Sequence, residues 1–418
     1  MKRIQDRLNH RYSVFILLYV AWCISYIDRA AISLAATRIA SEFNLGPSNI
    51  GLLLSSFYFG YALMQIPGGR LAGKFGAKPV IVAAILAWSA FTGLTGLAWS
   101  FVSILTVRFA FGFGEGMFPA ASVQGIAEAF SKENRPKATT FMLSSNYLGS
   151  FIAPLIIAPL ILNFGWRAVF HYIGLAGLLF SIFYWAFLRD NRVVQHSSAT
   201  SDERKGEFAA LLRQPLMWKI LGVWFGACLV NSGLESWMPT YLMTERGLNL
   251  KTIEMVTPLP YLIAFISTAI GGWVIMKFFD GREKYVLVFA TAMVGVFLYM
   301  MYTASSVAGV VTFQCGVYFF KSFILATVVS LPTKILSRNM VGTGIGMVNF
   351  GGQLAALLAP MTMGFIVETL KSYNYAFGFL VLATAFSVLV ACFIKSEPLA
   401  SDETVQPSRN ATTQYLKV

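Results

Sequence analysis

The sequence predicts an all-α polytopic membrane protein, with twelve transmembrane helices in two pseudo-symmetric six-helix bundles. Three observations carry that prediction. The 418 residues are 56% hydrophobic and only 12% charged, with a mean hydropathy of +0.65, well away from soluble domains. Mostly apolar runs of about 18 residues or more recur along nearly the whole chain, each long enough to cross about 30 Å of hydrocarbon as a helix. Finally, an offset of 203 aligns Gly68-Gly69 with Gly271-Gly272, Lys74-Phe75 with Lys277-Phe278, Asn146 with Asn349 and Gly149 with Gly352, the echo expected of two related halves.

In chain order the expected spans are 14–36, 50–69, 79–98, 101–125, 138–162 and 167–188, then 217–243, 256–276, 284–304, 306–333, 341–367 and 373–394. Span 1 is too long, and followed by too many further spans, to be a removable signal peptide. Spans 2 and 3 are separated by the basic loop around Arg70, Lys74 and Lys78. Span 4 carries Gly112, Gly114 and Gly116, a smooth face against which a neighbouring helix can pack closely. After span 6 the polar, charge-rich stretch from Arg189 to Arg213 divides the chain. It separates an N-terminal bundle (1–188) from a C-terminal bundle (217–395) through a cytoplasmic linker loop (189–216). Residues 396–418 read as a polar, disordered cytoplasmic tail.

A net charge of +13 invites a nucleic-acid reading until the basic residues are placed. Of the 32 Lys and Arg residues, 24 fall before span 1, at alternate connections and in the tail. The opposite loops hold Arg38, Arg167, Arg246, Lys251 and Lys371. This asymmetry puts both termini in the cytoplasm and makes the positive charge a matter of topology rather than of a nucleic-acid partner. Cys23, Cys228, Cys315 and Cys392 lie within spans with no CxxC spacing, and His10, His171 and His196 are scattered. No metal, disulfide or cofactor is expected. Nor is an enzyme, since no nucleophile–His or metal-ligand cluster accompanies the charges.

Six ionisable acidic or basic residues stand inside spans: Asp28, Arg29, Arg108, Glu115, Glu235 and Lys321. Each costs about 2.5–3.5 kcal/mol at a helix centre, so each must face a cavity or a partner. Asp28 and Arg29 are adjacent, about 100° apart on a helix, and must look at different things. Arg29 presents a planar fork suited to an anionic group and stays charged at any relevant pH, while Asp28 suits a proton carrier. Arg108 and Glu115, seven residues apart, share a helix face. They read either as a structural tie or as a proton-exchanging carboxylate, Glu115, with Arg108 as its charge partner. Tyr26, Tyr61 and Gln65 add hydroxyl and amide groups suited to a polyhydroxylated ligand.

The stretches "YIDRA" in span 1, "SFYFGYALMQIPGGRLAGKFGAK" through span 2, "RFAFGFGEGMFPA" in span 4, "GWRAVF" opening span 6 and "GMVNFGG" in span 11 together resemble the anion:cation symporter family of the major facilitator superfamily. The resemblance covers about residues 12–395. It implies the major facilitator fold, with spans 1, 4, 7 and 10 lining a central cavity. It further implies that Asp28 and Glu115 couple transport to protons, that Arg29 binds a carboxylate, and that Arg108 partners the acidic residue. By the same resemblance Tyr61 and Asn349 contact substrate hydroxyls, and Asn146 stands where sugar-acid members carry glutamine. Asn146 and Asn349 read equally well as helix–helix hydrogen-bonding residues. Departures are Ala31 in place of asparagine after the Asp-Arg pair, and Gly73 at the aspartate position of the loop motif, with Asp280 nearby in the second-half echo. Glu235 and Lys321 stand where typical members are uncharged. They either pair with each other or, as charge partner and substrate-binding residue, meet a second charged group on the substrate.

The expected protein is a multi-pass transporter of the bacterial inner membrane, monomeric in the lipid bilayer. It would import a small organic anion, a sugar acid such as a hexonate, hexuronate or aldarate, together with protons by alternating access. The sequence leaves open an exporter or exchanger of another organic or sulfonated acid on the same fold, and a transporter-like receptor.

Overall fold

The computed structural model describes residues 2–131, 134–187, 211–279, 281–336 and 341–394. Most of the linker loop expected at 189–216 and the tail at 396–418 lie outside these residues, as does Asp280. The chain forms α1 (Lys2–Phe43), α2 (Pro47–Phe75), α3 (Ala77–Thr95), α4 (Phe101–Glu115), α5 (Phe118–Ala129) and α6 (Arg135–Phe187). It continues as α7 (Pro215–Thr244), α8 (Leu250–Val256), α9 (Pro258–Phe278), α10 (Glu283–Thr303), α11 (Val307–Ile335), α12 (Val341–Leu370) and α13 (Tyr373–Cys392). Among the described residues no strand occurs. In a bilayer each segment must satisfy its own backbone, and helices do so internally.

Eleven helical stretches are long and apolar enough to span a membrane. The count reconciles with twelve expected spans at α6. Its apolar part, Phe141–Phe187, has 47 residues, about 70 Å at 1.5 Å per residue and twice a hydrocarbon core. Gly165 breaks it, with φ 80° and ψ 166°, a backbone that only glycine adopts without strain. Spans 5 and 6 are therefore joined with almost no loop. The opposite happens in span 4, which divides into α4 and α5 at Gly116 and Met117. Pro119 has no N–H to return to the carbonyl of Glu115 four residues earlier, so the helix interrupts there.

Local chemistry sets the other ends. Ser100 and Ser103 form a reciprocal capping box at the start of α4, each side chain accepting from the other's backbone N–H at 3.2 and 3.0 Å. Asn249 caps α8 and Ser306 caps α11. Gly76, at φ 87°, turns α2 into α3.

Glycines set the helix crossings nearest the charged residues. A Cβ on Gly112 of α4 would lie 2.0 Å from the Phe57 carbonyl oxygen, and one on Gly60 of α2 would lie 2.1 Å from that of Phe109. The two backbones touch, and only hydrogen fits between them. The offset of 203 reappears in the packing. Gly149 of α6 meets Cys23 and Tyr26 of α1, and Gly352 of α12 meets Trp224 and Cys228 of α7. The first and fifth spans of each half thus cross through an equivalent glycine.

The halves meet at two levels. At the end opposite the N-terminus of α1, α2 and α12 come into backbone contact, where a Cβ on Gly51 would be 2.5 Å from the Pro360 carbonyl oxygen and one on Gly364 equally close to that of Pro47. There the Glu368 carboxylate accepts from the Ser48 N–H at 2.7 Å, capping a first-turn donor of α2 from the other half. Thr37 of α1 reaches Met243 of α7 nearby. The second level lies among the charged residues inside the spans.

Candidate functional site

The charge-bearing side chains form one group within the first half and another in the second that reaches the first through Tyr147, and the pairing in the first differs from the tie read in the sequence. Arg108 turns to Asp28, with Nη1 3.3 Å from Oδ1, rather than to Glu115 on its own helix. Glu115 is taken by Arg29, whose Nε and Nη2 donate to the same oxygen, Oε1, at 2.9 and 2.6 Å. The geometry explains the crossing. Asp28 and Arg29 diverge by 100° around α1, and Arg108 and Glu115 are two turns apart along α4, so each α1 residue reaches a different level of α4.

Each pair has further support. Thr92 of α3 donates its hydroxyl to Asp28 Oδ2, so both Asp28 oxygens are engaged, and the residue is 1% exposed. Ser25, one turn before Arg29 on the same face, donates to Glu115 Oε1. That single oxygen therefore takes the guanidinium and the hydroxyl, while Oε2 is buried with no partner among the described residues. Arg29 is enclosed by the rings of Tyr26, Phe57 and Tyr61 at 4.6–4.7 Å from its Cζ, a cation–π box that holds the fork in plane. Tyr61 is buried and presents its ring face to Arg29. Arg108 lies 4.1 Å over Phe111, and its Nε and Nη2 are buried without partners among the described residues.

The second half carries a different arrangement. Glu235 and Lys321 make no direct ion pair. Lys321 Nζ donates to the amide oxygen of Asn231, on α7, and to the Tyr147 hydroxyl, on α6, at 3.0 Å. Asn231 Nδ2 donates to Glu235 Oε2 at 3.3 Å. The direct pairing envisaged in the sequence is corrected to a linkage through a neutral amide, and Tyr147 carries it into the other half. Like Glu115, Glu235 stands four residues before a proline, Pro239, which cannot donate to its backbone carbonyl.

Two small cavities adjoin these residues. Glu235 lines both. The first also involves Ser150, Tyr261 and Gln314, and the second Arg29, Tyr58 and Arg108. Asn146 lies on α6 beside Tyr147 with its Oδ1 buried and unpartnered among the described residues. Asn349, its counterpart at offset 203, is exposed on α12, and none of the contacts that assemble the cluster involves it. Among the described residues no group of His, Cys, Asp and Glu is placed to hold a metal.

Sequence reasoning missed Ser25, Thr92, Asn231 and Tyr147. Ser25 and Asn231 were within reach of it, each one helical turn before a charged residue on the same face, Arg29 and Glu235. Thr92 and Tyr147 carried no such signal, because they join the cluster only through helix packing.

A family model described as Major Facilitator Superfamily matches residues 18–320 and 249–416. A hexuronate transporter of Bacillus subtilis is 28% identical over 378 residues, 87% of this chain and 90% of that protein. A probable sulfoacetate transporter of Cupriavidus necator is 30% identical over 90% of this chain and 91% of its own. A probable galactarate/D-glucarate transporter of Escherichia coli is 27% identical over 93% and 95%. The fold is shared with a solved bacterial homologue of the human lysosomal transporter Spinster, at a TM-score of 0.78 and 19% identity, covering 94% of this chain and 99% of that one. Helical architecture, buried charged groups in each of two related halves and the family match over most of the length agree: this chain is a multi-pass membrane transporter, not an enzyme, and belongs to the Major Facilitator Superfamily.

Proposed function

We propose that this protein imports a small organic anion, a sugar acid, together with protons across the bacterial inner membrane, as a monomer with both termini in the cytoplasm. The observation that carries the reading is the occupation of the Arg29 fork. Its Nε and Nη2 edge, the one that grips a carboxylate with two hydrogen bonds, is held by Glu115. A substrate carboxylate must displace an internal one. Removing one partner of a buried ion pair is worth about 3–5 kcal/mol, so an ionised Glu115 competes strongly for Arg29. A proton on Glu115 removes the competitor. Proton and anion binding then favour each other, which is the thermodynamic core of symport.

Asp28 repeats this logic one level along α4. It neutralises Arg108, and a proton on Asp28 would release that cation. Tyr61 and Asn146 are assigned substrate hydroxyls, a reading supported by the Tyr61 ring beside Arg29 and by the Asn146 amide oxygen, which has no partner among the described residues. Asn349 is assigned the same role by resemblance, reached once the halves rearrange. The relatives named for hexuronate, galactarate and glucarate favour a sugar acid, and the charge bias of the loops supports the topology. Import follows from the inward proton gradient of a bacterial cell acting on such coupling.

The test is purified protein in liposomes containing a pH dye, challenged with hexonates, hexuronates, aldarates and sulfonates. The expected result is internal acidification with at least one organic acid, reduced at least tenfold in Arg29→Ala. No proton movement alongside measurable anion uptake would exclude coupling.

A further inference from the structure

Two cations lie inside the spans on opposite sides of the interface between the halves, and the protein treats them differently. Arg29, in the first half, is closed onto a carboxylate. Lys321, in the second, is 4% exposed and has no carboxylate within ion-pair distance among the described residues. Its ammonium is held by an amide oxygen and a phenol, with the rings of Tyr147 and Tyr318 at 5.2 and 5.5 Å. Neutral acceptors position a charge without cancelling it. Of its three N–H groups, two are used by these partners and the third has none among the described residues. A buried, positioned ammonium with no carboxylate in direct contact is costly within a membrane and is retained where an anion will meet it.

Glu235 gives the geometry. It lies within electrostatic range of both Arg29 and Lys321, and it lines both cavities, the one that includes Arg29 and the one that extends to Gln314 on the helix of Lys321. Arg29 lines one of these cavities; Lys321 lines neither and adjoins them through Asn231, which bonds the Glu235 common to both, so the two cations converge on that residue. One anionic group answers only one of them.

We propose that Lys321 is a second anion-binding residue, positioned by Asn231, and that the substrate is a small acid with an anionic group at each end, a dicarboxylate or a sulfonated carboxylate. The Asn231 amide oxygen, which accepts from the ammonium, stands where an anionic oxygen would dock. When the second anionic group arrives, it takes over the ammonium, and Asn231 keeps its bond to Glu235. Because the two cations belong to different halves, a doubly anionic substrate bridges them, and a singly anionic one engages Arg29 alone. This inference rests on the organic-anion reading above.

The test compares acids matched in chain length and differing in the second anionic group: glucarate with gluconate, and sulfoacetate with glycolate. Glucosaminate serves as the amine-bearing control. Binding is measured by calorimetry on the purified full-length protein. The wild type is expected to bind one of the doubly charged acids at least tenfold tighter than its singly charged match. Lys321→Gln should bring that ratio close to one while leaving the singly charged acid within about threefold, and Lys321→Arg should retain the preference. Equal wild-type affinity for matched acids, or preference for glucosaminate, overturns the inference and needs no variant that could misfold. So does a Lys321→Gln protein that weakens both members of a pair equally. Those outcomes leave the organic-anion reading intact. Failure of the wild type to bind any of the acids removes both.

Discussion

At the scale of single residues, the informative feature is an exchange of partners. Asp28 and Arg29 were set apart by one peptide bond and 100°, and each found the oppositely charged member of the Arg108 and Glu115 pair on the antiparallel helix. The two carboxylates are not equivalent in their surroundings. Both oxygens of Asp28 are engaged, by Thr92 and Arg108. Glu115 concentrates three donors on one oxygen and leaves the other free among the described residues. Glu115→Gln keeps the shape and removes the titration. It is expected to abolish uphill accumulation driven by a pH gradient while counterflow exchange of labelled anion continues. Asp28→Asn should do the same, with a larger loss of exchange because Arg108 is left buried without its counter-ion. Uphill accumulation persisting in both proteins would refute proton coupling through these residues. The charges themselves were legible in the sequence, since six ionisable side chains in an apolar background are hard to miss. Their partners were not, because a pairing across two helices depends on relative height along the axes.

At the scale of helices, glycine spacing decides how closely α2 and α4 approach and so where Arg108 and Glu115 point. Gly112→Val would place side-chain carbon within about 2 Å of the Phe57 carbonyl, where no flexible atom can give way. Overpacking of this kind costs about 1–3 kcal/mol and occasionally more, and at a backbone-to-backbone crossing it is expected to abolish monodisperse expression. Gly73, which takes the place of the family aspartate in the loop motif, is a contrasting case. It is helical and exposed, with nothing within 4 Å of an added Cβ, so Gly73→Ala should leave transport unchanged and raise thermal stability slightly, by about 0.5–1 kcal/mol of helix propensity. Thermal unfolding of the detergent-purified proteins, followed by size exclusion, distinguishes the two. Span boundaries were readable to within a few residues from hydropathy. The four-residue gap expected between spans 5 and 6 contains the break at Gly165, whereas the interruption of span 4 between α4 and α5 was not readable from hydropathy.

At the scale of the molecule, the halves are sealed at the end opposite the N-terminus of α1 by α2 against α12. They are held in the middle by the Lys321–Tyr147 bond. Alternating access requires the seal to part. Its most specific polar element is Glu368 receiving the Ser48 N–H, a cap that exists only while this end is closed. Glu368→Ala is therefore expected to shift the population toward the state open at this end. Spin labels near the N-terminus of α2 and the C-terminus of α12 should report a longer mean distance in the variant than in the wild type. An unchanged distance distribution would mean that the glycine-mediated helix contact alone sets the seal.

The sequence by itself determined the class of this protein. Twelve apolar runs, basic residues concentrated at alternate loops and a register of 203 between halves are one-dimensional properties, imposed by membrane thickness, insertion topology and duplication. It also determined which residues carry charge into the membrane, because the cost of placing them there makes each one conspicuous. Only the tertiary structure decided who meets whom. The preference of Arg29 for Glu115, of Arg108 for Asp28, and of Lys321 for Asn231 and Tyr147 depends on the relative height and rotation of packed helices. Those are set by glycine contacts and proline interruptions distributed over the chain, and no local pattern encodes their sum.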